Sequence, residues 1–211
     1  MTSDSVRQAY DALAEDYAAL LPDTRAESAL DLAMLDDLAR GVGQEPVLDA
    51  GCGAGRMSRY LADRGCRVHG VDLSPGMVER ARRDHPDLPF DVAALTDLPF
   101  PDAAFAGVVL WYSTIHTPPA GQPHILAEVR RVLRPGGSVV VAFQAGTGAR
   151  DLAPGYRRLG HDVVLERHLF SPDDVAGWLA GAGLEEVCRL VRRPQGREVD
   201  DQAVLLARAA V

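Results

Sequence analysis

The segment Val47-Leu48-Asp49-Ala50-Gly51-Cys52-Gly53-Ala54-Gly55-Arg56 constrains this chain most, because an apolar run ends there in a glycine turn that opens a helix. Pro46–Ala50 is short and apolar and predicts a strand, and residues from about Arg56 to Arg64 predict a helix. Glycine at 51, 53 and 55 lets the backbone approach a ligand with no Cβ in the way. In open α/β sheets, ligands bind beyond the carboxyl ends of the strands, next to the helix that follows. A dinucleotide fingerprint, G-x-G-x-x-G, asks for a small residue at position 56, where this chain has Arg56. A pyrophosphate needs a bare helix N-terminus, whereas a ligand carrying an amino acid could offer Arg56 a carboxylate. A tight turn with no ligand would use the same glycines.

The rest of the chain extends this rhythm. Val6, Tyr10, Leu13, Tyr17 and Leu20/Leu21 share one helix face, and Ala26 to Arg40 predict a second amphipathic helix closed by Gly41 and Gly43. Cys66–Val71 predicts a strand, with Ser74 as N-cap and Pro75 in the first turn of the next helix. Phe90–Ala93, Ala106–Trp111 and Ser138–Phe143 predict further strands, with a helix over Gln122–Leu133 and a turn at Arg134-Pro135-Gly136-Gly137. Strands alternating with helices imply right-handed crossovers and a parallel, doubly wound sheet. Residues 144–163, rich in Gly and Ala, predict a loop over the sheet, and Val163–Leu169 could be an extra strand. Pro172–Ala182 predicts a helix closed near Gly183. Leu184–Val191 and Ala203–Ala207 then predict an antiparallel hairpin, which makes the sheet mixed.

With 211 residues, 47% hydrophobic and 25% charged, the chain suits one globular domain without staples. Its three cysteines, at 52, 66 and 188, form no CxxC pair, so neither a disulfide framework nor a zinc site is indicated. His116, His124, His161 and His168 lack ligand spacing, so no metal is expected. A net charge of −8 argues against nucleic acid as partner. No basic-then-apolar leader and no run of about 18 apolar residues is present, so the expectation is a cytoplasmic protein with no membrane contact. It would act as a monomer or homodimer.

Two more places carry chemistry. Asp72 follows the second strand about 20 residues past the glycine turn, where an acid can accept both ribose hydroxyls; capping the Ser74-Pro75 helix is its alternative role. At the end of the fourth strand, Trp111-Tyr112-Ser113-Thr114-Ile115-His116 offers His116 as a general base, because histidine titrates near neutrality without tuning, with Tyr112 as a second candidate. His116 could equally be structural.

From Asp49 through Gly55 to Asp72, and again at Leu133-Arg134-Pro135-Gly136-Gly137, the chain resembles the class I S-adenosylmethionine-dependent methyltransferases, specifically those acting on small metabolites. The resemblance spans about residues 45–145. It implies a Rossmann-like, doubly wound, mostly parallel seven-stranded sheet with an antiparallel C-terminal hairpin and an N-terminal helical lid. The lid would cover 1–43, the cofactor-binding core 44–143, a substrate-covering loop 144–170, and the last helix and hairpin 171–211. It implies S-adenosyl-L-methionine as cofactor and S-adenosyl-L-homocysteine as product. Asp49 would support the methionyl group beside the glycine loop, Asp72 the ribose, and Leu73 and Met77 would lie near adenine. In Ala94-Leu95-Thr96-Asp97-Leu98-Pro99-Phe100 the family's usual acid falls on Ala94, which leaves adenine to backbone groups around Leu95, with Asp97 either compensating or capping. Trp111 would sit by the cofactor.

The opening Ala9-Tyr10-Asp11-Ala12-Leu13-Ala14-Glu15-Asp16-Tyr17 is similar to the lid of many such enzymes, where a tyrosine such as Tyr17 touches the methionyl group; both rings could instead simply pack the core. Tyr10, Tyr112, His116, Gln144 and His168 are the candidate acceptor contacts. No Pro-Pro-Tyr motif follows strand four, which argues against DNA or amide N-methylation. The expected reaction is in-line methyl transfer to an O, N or C nucleophile of a small metabolite. A non-catalytic cofactor-binding protein is the first alternative. A NAD-dependent oxidoreductase is the second, opposed by Arg56 and the terminal hairpin.

Overall fold

A computed structural model describes residues 2–210. In chain order the elements are α1 (Ser3–Leu20), α2 (Ala29–Val42), β1 (Pro46–Ala50), α3 (Arg56–Ala62), β2 (Arg67–Asp72), α4 (Pro75–Asp84), β3 (Phe90–Val92), β4 (Phe105–Trp111), α5 (Gln122–Val132) and β5 (Leu133–Ala145). They continue with β6 (Ala149–Asp151), α6 (Ala153–Arg157), β7 (Glu166–His168), α7 (Pro172–Gly181), β8 (Leu184–Arg192) and β9 (Asp201–Ala209).

Seven strands form one sheet in the order β3-β2-β1-β4-β5-β9-β8. The first five pair in parallel. β9 runs antiparallel between β5 and β8, so the expected C-terminal hairpin is present. The central strands are apolar on both faces because helices cover both. Along β4, Val108 and Leu110 face the layer built by α5 and α7, while Val109 and Trp111 face the layer of α2 and α3. Period-two alternation thus divides one apolar run between two cores. Strand order reverses between β1 and β4, and that switch point opens a crevice at their carboxyl ends.

Three details differ from the sequence expectation. The second helix begins at Ala29, with Ser28 accepting from Leu30 N; Thr24–Ala26 form a separate single turn. Arg134-Pro135-Gly136-Gly137 lies within the extended element β5. Phe105 pairs with Leu133 and Gly107 with Ser138, so the four residues between bulge out of the ladder. Residues 144–170 are also more than a loop. They hold β6, α6 and β7, and β7 pairs with β6 in a separate two-stranded sheet instead of extending the main one. Isolated backbone in so long a segment would leave donors unpaired, and this flap pairs its own.

Helix α1 packs on α4. Asp11 is the fastening: its Oδ1 accepts from Ser74 Oγ (2.6 Å) and Gly76 N (3.0 Å), at the start of α4. Glu15 adds surface pairs to Arg80 and Arg83. No helix among the described residues is long and apolar enough to cross a membrane.

Candidate functional site

The glycine turn is held by strand β2. Gly51 N and Cys52 N both donate to the Val71 carbonyl (2.7 and 2.9 Å), so the loop wraps the end of the neighbouring strand. Gly51 has φ +82°, and a Cβ there would stand 2.2 Å from Ser113 Cβ, where the ends of β1 and β4 converge. A side chain at 51 would meet both a strained backbone and a clash. Gly53 N donates to Asp72 Oδ2 (2.8 Å), and Ser74 N donates to Asp72 Oδ1 (2.9 Å). One carboxylate therefore ties the glycine loop to the start of α4 while it borders the cavity. Burial pushes its pKa up, against those two backbone donors.

Two hollows lie at this crevice, with Tyr17, Gly51, Gly53 and Trp111 bordering both. The larger has an empty volume of about 1020 Å³ counting its open mouth. Tyr10, Tyr17, Gly51, Gly53, Asp72, Leu73, Met77, Ala94, Leu95, Trp111, Tyr112 and His116 of the sequence candidates all border it. The smaller hollow is bordered by Tyr17, Asp49, Gly51, Gly53, Arg56 and Trp111. Asp49 Oδ2 accepts from Ser58 Oγ (2.6 Å), whereas its buried Oδ1 has no partner among the described residues. Burial raises this carboxyl to about 6 despite the Ser58 bond. An orphaned carboxylate oxygen behind a glycine cradle fits a cationic amino group such as that of a methionyl moiety.

Several candidates are placed differently from expectation. Gly55 borders neither hollow; it is the N-cap of α3, and a Cβ on it would meet His85 and Phe90 at 2.8–2.9 Å. Its role is packing. Gln144 and His168 also fall outside both hollows: Gln144 continues β5 beside β9, and the His168 ring stacks on Phe170. Tyr112 borders the cavity, but its hydroxyl donates to Gln202 Oε1 (2.8 Å), and burial raises its pKa strongly. That hydroxyl is not aimed as a base. Asp97 borders neither hollow either; its N–H donates to the Ala94 carbonyl, closing a turn. Arg56 borders the smaller hollow with one nitrogen already paired to Glu27.

His116 and Tyr10 do meet. Tyr10 Oη lies 2.7 Å from His116 Nε2, and His116 Nδ1 lies 2.6 Å from the Glu166 carbonyl. Burial, chiefly, lowers His116 to about 4.

Sequence reasoning missed Glu27, Asp11 and Ser113. Glu27 pairs Arg56 and accepts from Trp111 Nε1 (3.2 Å), linking two residues that border the smaller hollow. Ser113 borders the larger hollow with a buried hydroxyl that has no partner among the described residues. Ser113 stands three residues before His116 at a strand end, which was signal enough to include it. Glu27 and Asp11 act across folds of the chain and leave no local pattern.

The fold and this crevice define an α/β protein of the open-sheet type with a cavity at its topological switch point. Residues 47–137 match the family described as a methyltransferase domain. The chain is 43% identical over 110 residues to demethylmenaquinone methyltransferase of Beutenbergia cavernae, covering 52% of this chain and 45% of that one. It is 35% identical over 130 residues to malonyl-[acyl-carrier protein] O-methyltransferase of Serratia marcescens, covering 59% and 47%. The chain thus spans about half the length of these curated relatives. In fold it is similar to Burkholderia thailandensis 1,6-didemethyltoxoflavin-N1-methyltransferase, with a TM-score of 0.73 at 24% identity over 99% of this chain and 88% of that one. It is also similar to the [4+2]-cyclase SpnF, with a TM-score of 0.75 at 20% identity over 100% and 97%. Over residues 47–137 the chain thus matches a methyltransferase domain, and it shares its fold with solved methyltransferases.

Proposed function

We propose that the protein transfers the methyl group of S-adenosyl-L-methionine to a nucleophilic atom of a small metabolite by in-line displacement. The observation that carries this is the unpartnered, buried Asp49 Oδ1 behind Gly51 and Gly53, in the same crevice as Asp72. Asp49 would hold the amino group of the methionyl moiety and Arg56 its carboxylate. Asp72 would hold the ribose hydroxyls, with Leu73, Met77, Ala94 and Leu95 around the base and Tyr17 and Trp111 walling the methionyl end. When bound, the cofactor supplies an activated methyl on a sulfonium. The chain's contribution is then alignment of the acceptor and exclusion of water by α1, which borders the cavity. The relatives named above for malonyl-[acyl-carrier protein] and demethylmenaquinone methylation support an acceptor other than nucleic acid.

Calorimetric titration with S-adenosyl-L-homocysteine and with NAD tests the site, and transfer of label from methyl-labelled cofactor into a metabolite extract tests turnover. S-adenosyl-L-homocysteine is expected to bind and NAD to leave no heat; the reverse would end this reading.

The pH dependence of binding has a definite sign. Asp49 titrates near 6 in the unliganded protein, and an ammonium group needs it charged. Below pH 6 binding must expel a proton, so S-adenosyl-L-homocysteine affinity should fall by about tenfold per pH unit, and should be flat from pH 7 to 8. Affinity that rises on acidification would exclude the Asp49 contact.

A further inference from the structure

The cavity wall also carries a hydrogen-bond chain through His116 and Tyr10. It begins at the Glu166 carbonyl, which can only accept, so His116 Nδ1 must carry the proton facing it. With the ring neutral, Nε2 is then a bare acceptor, and the Tyr10 hydroxyl must donate to it. Tyr10 has one proton and it is committed. Its remaining lone pairs are what the phenol offers to a ligand in the cavity. The ring stays neutral at ordinary pH because burial, aided by Arg167 and His168, holds it near 4. The segment is braced as well: His168 N donates to the Ile115 carbonyl (2.8 Å), fixing β7 to the stretch that carries His116.

Charge selects in the same sense. The larger hollow is bordered by one carboxylate, Asp72, and one guanidinium, Arg7. Arg7 is already paired to Asp4 (2.9 Å) and Asp11 (3.0 Å). An oxyanion entering here would shed water and find no uncommitted side-chain cation among the described lining residues, with the cofactor's sulfonium as its counter-charge only until the methyl leaves. A neutral molecule carrying an O–H or N–H would shed less and would find an acceptor at Tyr10.

Building on the methyl-transfer reading, we propose that Tyr10 Oη holds the reacting atom of the acceptor, and that the acceptor is a neutral hydroxyl or N–H compound instead of a carboxylate or other oxyanion. As the nucleophile's lone pair forms the bond to the methyl carbon, the carbon–sulfur pair stays on sulfur, and the nucleophile's own proton becomes strongly acidic. That proton passes to Tyr10 Oη while Tyr10's proton passes to His116 Nε2. An imidazolium replaces the lost sulfonium, so the charge inside the crevice is unchanged, and the proton leaves to water with the products. A weak base suffices because the proton is acidic only once the new bond forms. Tyr10 touches the acceptor and is the catalytic residue; His116 acts through it and is the positioning residue.

Two variants and one probe test this. Tyr10→Phe keeps the ring packing, and His116→Gln keeps an acceptor for the Tyr10 proton but cannot be protonated. Methyl-labelled cofactor is offered with an equimolar set of small phenols, N-heterocycles and carboxylic acids. Label is expected in the phenols or N-heterocycles. Tyr10→Phe should lower kcat by about 100-fold, the size of a lost acid–base contribution, with S-adenosyl-L-homocysteine affinity unchanged. His116→Gln should lower kcat while leaving the acceptor KM near its original value. Label in carboxylic acids, or full activity in Tyr10→Phe, overturns the proposal without touching the methyl-transfer reading. A further arm needs no turnover. In the S-adenosyl-L-homocysteine complex, 15N NMR should show His116 neutral and protonated on Nδ1 at pH 6, and 4-nitrophenol should bind in its neutral form by absorbance. An Nε2-protonated ring or bound nitrophenolate overturns the proposal. Loss of S-adenosyl-L-homocysteine binding itself would instead defeat the methyl-transfer reading.

Discussion

Asp72→Ala is expected to weaken S-adenosyl-L-homocysteine binding by about a hundredfold or more. Two ribose hydroxyls donating to one carboxylate would contribute roughly 1.5–3 kcal/mol each, as hydrogen bonds to a charged acceptor do. The loss does not stop at the ribose. Gly53 N and Ser74 N both donate to this carboxylate, so alanine also releases the glycine loop from the start of α4. Asp72→Asn keeps the shape but sets an amide NH2 toward one of those two donors, so it should fall between wild type and alanine. Calorimetric titration reads the affinity, and a thermal scan confirms that the variant is folded. An unchanged dissociation constant in folded Asp72→Ala would remove Asp72 from the site. Asp72 does not itself cap α4, because Ser74 takes that role with its Oγ accepting from Met77 N (3.1 Å). Asp72 Oδ1 accepts from Ser74 N near the helix start while the residue still borders the cavity.

What the sequence disclosed and what it hid divide along the range of the interactions. The strand, turn and helix at 46–62 were legible because apolar period, glycine spacing and helix opening are all local. Asp72 was legible because crossover length fixes where the second strand ends relative to the first. The antiparallel hairpin could be read from two strands with no helix between them. The flap was only half legible: Val163–Leu169 read as a strand and holds β7, whereas the three-residue Ala149–Asp151 carries no period long enough to recognise. Nor could sequence tell which way the Tyr112 hydroxyl points. That is set by Gln202, 90 residues away, and by a backbone at φ +55° that turns the residue from the strand direction. His116 was found as a candidate. Its protonation and partner depend on a carbonyl in the flap, which no spacing rule reaches.

The same long-range contacts make Arg192 a residue whose loss should strongly reduce stability. It lies on β8 and reaches Asp31 of α2 through Nε (2.8 and 3.0 Å), while Nη1 and Nη2 meet Glu198 at 2.6 and 2.7 Å. The Asp31 side chain is fully buried and that of Arg192 is 7% exposed, so water cannot replace either partner. Removing one member of such a pair leaves a buried, uncompensated charge and costs about 3–5 kcal/mol. At roughly 2–4 °C per kcal/mol for a chain of this size, Arg192→Met should melt on the order of 10 °C lower. Replacing both partners, as Arg192→Met with Asp31→Leu, removes the orphan charge and should recover most of the loss, since apolar substitutes of similar volume are tolerated at buried ion pairs. A drop below about 2 °C in the single variant would mean that Asp31 finds another partner. S-adenosyl-L-homocysteine affinity in the folded single variant should stay within about twofold of wild type, because neither residue borders the crevice. A larger change would show that the α2–β8 tie reaches the site through β9, where Gln202 holds Tyr112 at the end of β4.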